Sequence, residues 1–204
     1  MKTYRLVKTR IFLKWLEKQP GQVISRIDAR LDRVRTGNFG DHKWFGDFGE
    51  LRLTFGKGYR LYYTIRQQEL LLLLLGGDKG SQTRDIKAVK MILNQLEQEK
   101  MMYEENEIVI TKEDCEITPY DVAELLKDEA HYRLHLQISY EENGLKGLQK
   151  ALGDVARAKK MTDVAEKTGL TRQNLYKALS ADGNPSADTL FRVIKALGFR
   201  LEIV

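Results

Sequence analysis

Arg52, Arg60 and Lys79 are the residues of the first half of the chain best suited to binding a phosphodiester. Arginine keeps its charge and offers a fixed fork of donors that matches a phosphate group. Lys79 follows the apolar run Leu70–Leu75 within the sequence GGDKG, where glycines let the backbone approach a ligand. Cleavage of RNA by its own 2′-hydroxyl requires a base, an acid and a stabiliser of the pentacoordinate phosphate. We expect Arg52 and Arg60 to stabilise transition-state charge, and Lys79 to act as electrostatic stabiliser or acid.

Other polar residues of the first half could assist at such a site. Tyr62 is a candidate base, or a platform on which a nucleobase stacks. Asp78 is better suited to orienting its loop than to acting as a base. The candidates for RNA contact are Lys57, Gln82, Arg84 and His42. A solvated sheet face is the alternative interpretation of Arg52 and Arg60.

The two arginines lie in a predicted β-hairpin. Two segments that alternate apolar with polar side chains flank the sequence GKG. Period two on both sides of a glycine turn is typical of a hairpin. A three-residue turn at this point places Arg52 opposite Tyr62, and Arg60 opposite Thr54. The arginines are then diagonal neighbours on one sheet face, roughly 7–8 Å apart.

The rest of the first half predicts elements that would hold this hairpin. A short strand at Tyr4–Val7 precedes a helix that Thr9 could cap. Residues 24–34 carry apolar side chains at spacings of three and four, which indicates one face of a second helix. Leu70–Leu75 is typical of a central strand buried on both faces. An amphipathic helix is expected over residues 86–96.

The second half predicts a bundle of helices. Thr118-Pro119 is a typical helix start, because an N-cap residue is followed by proline at the first helical position. We expect this helix to run to Asn143 and to end at Gly144. The final sequence FRLEIV is interpreted as a closing strand, through which two copies could dimerise.

Residues 161–180 have the spacing of a helix-turn-helix motif, whose second helix lies in the major groove of DNA. Thr162 and Thr171 could cap the two helices, and Gly169 could make the tight turn. Arginine pairs well with guanine, and glutamine or asparagine with adenine. The candidate DNA-binding residues are Thr171, Arg172, Gln173, Asn174, Tyr176 and Lys177. An ordinary helical hairpin is the alternative.

Charge divides the chain into two halves. Residues 1–101 carry 20 Lys and Arg against 11 Asp and Glu, a net charge of +9, whereas residues 102–204 have a net charge of −4. A basic half followed by an acidic half suggests a part that binds nucleic acid and a part that neutralises it. We expect a first domain at 1–100, an acidic linker at 101–117 and a second domain at 118–204.

The composition argues against a membrane-bound or secreted protein. The longest apolar run, Leu70–Leu75, is far shorter than the roughly 18 residues of a membrane span. Lys8, Arg10 and Lys14 interrupt any signal-peptide core. The single cysteine, Cys115, cannot form an internal disulfide, and the three histidines are widely scattered. We therefore expect a cytoplasmic protein with no metal site and no cofactor.

The segment Ala151–Leu201 resembles the HigA-type antitoxins, which are "addiction module antidote" proteins of the Xre-like helix-turn-helix class. The likeness begins at about Thr118. The sequence Asn184-Pro185-Ser186 before the last helix is typical of that family. The resemblance implies an all-α domain that forms a homodimer, neutralises a toxin and represses its own operator.

The first half resembles the HigB-type killer proteins of the RelE/ParE toxin superfamily. Four motifs carry the likeness, in order and at similar spacing: FLKWLEK, GNFGDHK, ELRLTFGKGYRLYYT and LLGGDKGSQTRDI. The resemblance implies a small antiparallel sheet with helices packed on it, acting as an endoribonuclease on mRNA at the ribosome. The expected fold is therefore an α/β domain followed by an all-α domain.

One departure from the toxin family bears on activity. Ribosome-dependent members often carry a Tyr or His near the end of the toxin as part of the acid–base set. After Lys79, this chain has neither before Tyr103. One alternative is therefore a DNA-binding regulator whose toxin-like domain is inactive and serves for interaction. Inhibition of DNA gyrase, as in ParE-like members, is another.

The acidic segment Glu104–Glu129 is expected to lie across the basic surface of the first domain and to block it. Ile108-Val109-Ile110 could add a strand to its sheet. Alternatively, the helix predicted at 119–143 could pack on the helices of the first domain, or the segment could be a disordered linker. A linker too short to span the distance would favour a swapped dimer.

Overall fold

The computed structural model describes residues 3–67, 70–97, 111, 113–180 and 182–201 of the chain. The chain divides into two compact units. Unit 1 consists of Met1–Gln19 and Leu31–Tyr120, and unit 2 consists of Pro20–Arg30 and Asp121–Val204. Each unit is therefore assembled from two separate stretches of the sequence.

Unit 1 is built around a mixed sheet. Its strands are β1 (Arg5–Thr9), β2 (His42–Trp44), β3 (Gly49–Arg52), β4 (Arg60–Arg66), β5 (Leu70–Gly77) and β6 (Ile117–Pro119). Their order across the sheet is β2-β3-β4-β5-β1-β6. β1 runs parallel to β5, and every other neighbouring pair is antiparallel. The expected purely antiparallel sheet was thus wrong at one pair, because the long connection from β1 to β5 lets the two strands run in the same direction.

The described residues of the first half also form the helices α1 (Arg10–Leu16), α2 (Gly21–Arg35) and α3 (Gln82–Glu97). Thr9 caps α1 as predicted, since its Oγ1 accepts a hydrogen bond from the Phe12 amide at 3.1 Å. The predicted apolar face of α2 is buried: Ile24, Ile27, Leu31 and Val34. Periodicity and capping therefore located these helices correctly.

The core of unit 1 lies on β5, as its run of leucines predicts. Leu71 to Leu75 are buried, and β4 and β1 flank the strand on its two edges. Leu72 and Leu74 share a cluster with Val89 and Ile92 of α3. The helix that follows β5 therefore covers one face of the sheet and places its first turn beside β3 and β4.

The hairpin of β3 and β4 has a different register from the predicted one. Arg52 lies directly opposite Arg60, and Glu50 lies opposite Tyr62. The predicted pairing of Arg52 with Tyr62 was wrong because the loop between the strands is longer than three residues. The Leu53 amide before the loop donates to the Tyr59 carbonyl after it, at 2.9 Å. A slip of two residues keeps every side chain on its predicted face. The two arginines still share a face, but as direct cross-strand neighbours.

Thr118 and Pro119, predicted to begin a helix, lie in strand β6 instead. Thr118 is the partner of Lys8 in β1, and the Arg10 amide donates to the Glu116 carbonyl at 3.0 Å. The local helix-start signal was misleading because pairing with β1 satisfies the backbone groups of this segment. The strand added to the sheet here is β6, which the sequence did not predict. The proposed strand at Ile108–Ile110 lies outside the described residues.

Acidic residues just before β6 contact α1. Lys14 Nζ lies 2.7 Å from Asp114 Oδ1, and Arg10 Nη1 lies 3.7 Å from Glu113 Oε2. This part of the acidic segment therefore lies against basic side chains, as the charge pattern predicts. Both ion pairs are partly exposed, so each contributes little alone.

Unit 2 is helical. Its helices in the second half of the chain are α4 (Glu129–Ala158), α5 (Met161–Thr168), α6 (Arg172–Ala178) and α7 (Ala187–Ala196). Asp128 caps α4, so this helix begins later than predicted. Gly144 interrupts α4 with φ +63° and ψ −151°, close to the predicted end. The chain then continues as a second helical arm of α4.

The caps of α5 and α6 were predicted in part. Gly169 ends α5 with φ +69°, and Thr171 Oγ1 accepts from the Asn174 amide at 3.1 Å, as expected. Thr162 is not a cap, because Lys160 takes the N-cap position and α5 begins at Met161.

The end of the chain differs from the predicted closing strand where it is described. Residues 199–201 are not in a strand, and residues 202–204 lie outside the described part. Among the described helices, none combines the length and apolarity that crossing a lipid bilayer would require.

Candidate functional site

Glu50 gathers three polar side chains on one face of the unit 1 sheet. Its Oε1 accepts a hydrogen bond from Arg52 Nε at 2.7 Å, and its Oε2 accepts one from Gln82 Nε2 at 2.8 Å. Arg60 Nε lies 3.4 Å from the same Oε2. The Glu50 side chain is fully buried, whereas that of Arg52 is 35% exposed and that of Arg60 12%. A buried carboxylate therefore anchors two arginines that both keep some contact with solvent.

Gly58, in the loop between β3 and β4, lies close to both Arg60 and Lys79. Arg60 Nη1 donates to the Gly58 carbonyl at 2.8 Å. A Cβ at position 58 would lie 3.6 Å from Lys79 Cβ and 3.8 Å from Arg60 Nη1. Gly58 has φ +71°, a conformation that suits glycine. Gly58 therefore lies next to both Arg60 and the exposed Lys79.

Tyr62 lies in the same region but is fully buried. Burial, and then the charge of Glu50, raises the pKa of Tyr62 well above its ordinary value of 10.0. A phenol that stays protonated at neutral pH and has no exposed face is poorly suited to act as a base or as a stacking platform. The geometry favours a packing role for Tyr62.

The loop that carries Lys79 is held by its own polar residues. Asp78 Oδ1 accepts from the amides of Gly80 at 2.8 Å and Ser81 at 3.2 Å. Ser81 Oγ donates to Asp85, whose pKa is raised by burial. Asp78 is thus engaged in orienting the loop, in keeping with the expectation from the sequence.

The other predicted RNA contacts are scattered. Lys57, Arg84 and His42 are exposed, and among the described residues no hydrogen bond or ion pair joins them to Glu50. His42 lies on the edge strand β2, with Nδ1 2.9 Å from the Gly40 carbonyl. Of these four predicted RNA contacts, Gln82 is the one that the described structure joins to Glu50, by a hydrogen bond.

Glu50 was not among the candidates taken from the sequence. The available signal was its position two residues before Arg52 on an alternating strand, which places both on one sheet face. A carboxylate at that spacing is a natural anchor for an arginine on the same face.

The candidate DNA-binding residues of α6 form an outward face. Thr171, Arg172, Gln173, Asn174, Tyr176 and Lys177 are exposed, whereas Leu175 among them is fully buried. One apolar side chain therefore anchors the helix while its polar side chains remain available.

Buried Gln149 of α4 holds the chain that follows α6. Its Nε2 donates to the carbonyls of Ala178 at 2.9 Å, Ser180 at 2.8 Å and Gly183 at 3.0 Å. An open cavity of about 560 Å³ beside this loop is lined in part by Asn174 and Lys177. Gln149 thus fixes the end of the helix that carries the candidate DNA-binding residues.

Unit 2 also contains a buried polar cluster with metal-ligand chemistry. Ligand atoms of Asp28, His135 and Asp154 lie within 4.8 Å of one another. Lys150 Nζ lies between the two carboxylates, 2.8 Å from Asp28 Oδ2 and 2.9 Å from Asp154 Oδ2. The ammonium group supplies the positive charge that these carboxylates require, so the arrangement fits an ion-pair cluster better than a metal centre.

Comparison with known proteins concerns about half of the chain in each case. An uncharacterised protein of Haemophilus influenzae is 39% identical over 88 residues, which are 43% of this chain and 91% of that relative. A second uncharacterised protein of the same organism is 40% identical over 96 residues, 46% of this chain and 97% of the relative. No solved structure matches the chain.

A family profile adds a description for the second half. Residues 116–204 match the family described as "probable addiction module antidote protein". This range includes β6 and all of the helices α4 to α7. Over this region, the chain belongs to the family of probable addiction module antidote proteins.

Proposed function

We propose that this chain carries a toxin and its antidote in one polypeptide. In this proposal, residues 1–100 form an endoribonuclease that cleaves mRNA on the ribosome, and residues 118–204 form an antidote that neutralises it and binds operator DNA as a dimer. The observation that carries the toxin part is the pairing of Arg52 and Arg60 on buried Glu50, with Lys79 next to the glycine whose carbonyl Arg60 contacts.

The arrangement suits stabilisation of a phosphoryl transition state. Residues directly opposite each other on antiparallel strands have Cβ atoms about 4.5–5.5 Å apart, so Arg52 and Arg60 can contact one phosphate together. Lys79 would add a third positive charge and would protonate the leaving oxygen, while water would take the proton of the attacking 2′-hydroxyl, because Tyr62 is too deeply buried to serve as the base. Glu50 is buried between the arginines and acts as a positioning residue. Preorganised positive charge is often the largest catalytic contribution.

The way the chain divides into compact units supports the antidote part of the proposal. Residues 116–120 belong to the antidote-family match, yet they are part of unit 1, where β6 extends the sheet. Pro20–Arg30 belongs to the toxin-like sequence, yet it is part of unit 2. Each compact unit thus contains residues of both sequence regions, as expected for an antidote that holds its toxin.

Expression of residues 1–101 from a tightly controlled promoter tests the toxin. We expect growth arrest, with cleaved mRNA visible when RNA 5′ ends are mapped. Arg52→Ala or Arg60→Ala should relieve the arrest, because each removes a guanidinium group from the proposed phosphate site. Arg66→Ala is the matched control, since Arg66 lies at the opposite end of β4 from Arg60. Full toxicity of both site variants would show that the site is wrong.

The same experiment separates the proposal from its alternatives. A gyrase inhibitor would yield DNA breaks rather than cleaved mRNA. A DNA-binding regulator with an inactive toxin-like domain would cause no arrest when residues 1–101 are produced as a folded fragment. That second candidate is favoured by the burial of Tyr62 and by the lack of Tyr or His between Lys79 and Tyr103.

Operator binding requires a separate test. If α6 reads DNA, the full chain should protect a palindrome with half-sites about 10–10.5 base pairs apart. Gln173→Ala or Asn174→Ala should relax base preference by roughly 1–3 kcal/mol at one position, whereas exposed Lys195→Ala on α7 should not. Unchanged preference in both α6 variants would exclude α6 as the recognition helix.

A further inference from the structure

Pro20–Arg30 is held inside unit 2 by a buried charge cluster. Asp28, His135 and Asp154 are at most 1% exposed. Lys150 bridges Asp28 and Asp154 through its ammonium group, and His135 Nε2 lies 3.1 Å from Asp154 Oδ2. Its other nitrogen, Nδ1, lies 3.3 Å from Ser25 Oγ. The cluster therefore engages both Ser25 and Asp28, which lie three residues apart on α2.

Further contacts occur at the break in α4. Arg26 Nη1 lies 3.1 Å from Glu142 Oε1, and Asn143 Nδ2 donates to the Ala29 carbonyl at 2.9 Å. His135, Glu142 and Asn143 precede Gly144, whereas Lys150 and Asp154 follow it. The stretch Pro20–Arg30, helical from Gly21, thus contacts both arms of α4.

Contacts of this kind discriminate strongly between partners. A buried charge left without its partner is expensive, so a surface that lacks Lys150 would leave the buried carboxylates of Asp28 and Asp154 without the ammonium group that compensates both. Exposed ion pairs have no comparable effect, because water and salt screen them. The free energy lost on binding a wrong partner therefore depends mainly on the Asp28–Lys150 pair.

We propose that Pro20–Arg30 is the helical element of the toxin-like sequence that the antidote region recognises, in addition to the pairing of β1 with β6, and that the Asp28–Lys150 pair determines the specificity of this helical contact. This inference rests on the proposed division into toxin and antidote. It assigns the partner surface on α4 a definite ligand: a helix that presents a serine and, three residues later, an aspartate. Lys150 contacts the aspartate, Asp28, and His135 contacts the serine, Ser25.

Association after a cut in the full chain tests this assignment. A protease site introduced within residues 101–110 is cleaved in the folded protein, and the dissociation constant of the two fragments is measured. Wild-type fragments should stay together on a sizing column at low micromolar concentration. Lys150→Met should weaken association about 30-fold or more, the scale for truncating one member of a buried pair. Exposed Lys195→Met on α7 is the matched control and should change nothing.

A double variant separates recognition from general loss of structure. Lys150→Met leaves the carboxylates of Asp28 and Asp154 facing each other, so Asp28→Asn added to it should restore part of the lost affinity. Circular dichroism of the uncut variants checks that they are folded. Wild-type affinity in Lys150→Met, or further weakening in the double variant, would overturn the proposal.

Failure here is distinguishable from failure of the proposed function. Fragment association is measured without reference to growth or RNA cleavage, so an inactive toxin region leaves the result unaffected. Conversely, a toxic fragment 1–101 together with unchanged affinity in Lys150→Met would retain the toxin and reject the recognition element.

Discussion

At the scale of the residue, Glu50 decides how the candidate site is built. Two arginines on neighbouring strands would repel each other without a carboxylate between them. Glu50 lies beneath both and also accepts from Gln82, so its two oxygens are both engaged. A buried carboxylate with several charged partners fixes their positions more firmly than an exposed one would.

Glu50→Gln should therefore destabilise unit 1. The amide keeps some hydrogen-bonding capacity but loses the charge that compensates Arg52 and Arg60, and we expect a loss of about 1–3 kcal/mol. Asp41→Asn is the matched control: Asp41 lies 3.8 Å from the same Arg52 but is 55% exposed, and should change stability by less than about 0.5 kcal/mol. Urea unfolding followed by tryptophan fluorescence reports on this unit, because Trp15 and Trp44 both lie in it. Equal effects of the two substitutions would contradict the anchoring role.

At the scale of the element, local patterns located most helices and strands and failed where distant pairing decided. Alternation placed Glu50, Arg52 and Arg60 on strands, but it could not fix the loop length, and so the register of the hairpin was wrong by two residues. Because the register differed by an even number of residues, the prediction that Arg52 and Arg60 share a face of the sheet was still correct. Thr118-Pro119 has a strong local helix signal, yet it forms β6 because β1 provides a partner that no local pattern reveals.

Thr118→Pro tests the importance of β6. Thr118 is paired with Lys8 in the ladder, and proline there has no amide hydrogen to donate. We expect the Arg10 amide, which donates to Glu116, to exchange with solvent roughly tenfold faster, on the scale of one lost hydrogen bond. Thr118→Val keeps the backbone donor and the branched shape, and should leave the exchange rate unchanged. Protection of Arg10 in the proline variant would mean that β6 pairing is unimportant.

Gln149→Met tests the support of the loop after α6. Methionine matches the length of glutamine but cannot donate to the carbonyls of Ala178, Ser180 and Gly183. Carbonyls that lose a buried donor cost about 1–3 kcal/mol, so unit 2 should be destabilised by that amount. Urea unfolding followed by far-UV circular dichroism measures the loss. The exposed Lys146 also donates to the Gly183 carbonyl, and a larger loss of stability in Lys146→Met would show that Lys146 is the main support of this loop.

At the scale of the whole molecule, the two units differ in how protons affect their stability. In unit 2, burial tends to raise the pKa of Asp121, but Arg157 lowers it below the ordinary value of 3.8. Burial likewise tends to raise the pKa of Asp154, but Lys150, His135 and Arg157 lower it below that value. Burial also lowers the pKa of His131 below its ordinary 6.5. In unit 1, burial raises the pKa of Asp85. The pKa of Asp114, which forms a partly exposed pair with Lys14, is lowered, but solvent screens the contribution of this pair to stability.

These directions set the sign of the pH dependence. A group whose pKa is depressed by folding binds more protons when unfolded, so its stabilisation is present above its ordinary pKa and is lost as the pH falls through the folded value. Unit 2 should lose stability first below about 6.5 through His131, and then below about 3.8 through its two aspartates. Asp85 has the opposite sign, so unit 1 should be less sensitive to acid.

We therefore expect acid to unfold the helical unit first. Helicity at 222 nm comes largely from unit 2, while Trp15 and Trp44 report on unit 1. Between pH 7 and pH 3, the urea midpoint of the helical signal should fall further than that of the fluorescence signal. Asp121→Asn should flatten the helical response because it removes one titrating group, whereas Asp188→Asn, in an exposed pair with Arg192, should not. Midpoints that fall together, or fluorescence that changes first, would show that His131, Asp121 and Asp154 do not control the acid response of unit 2.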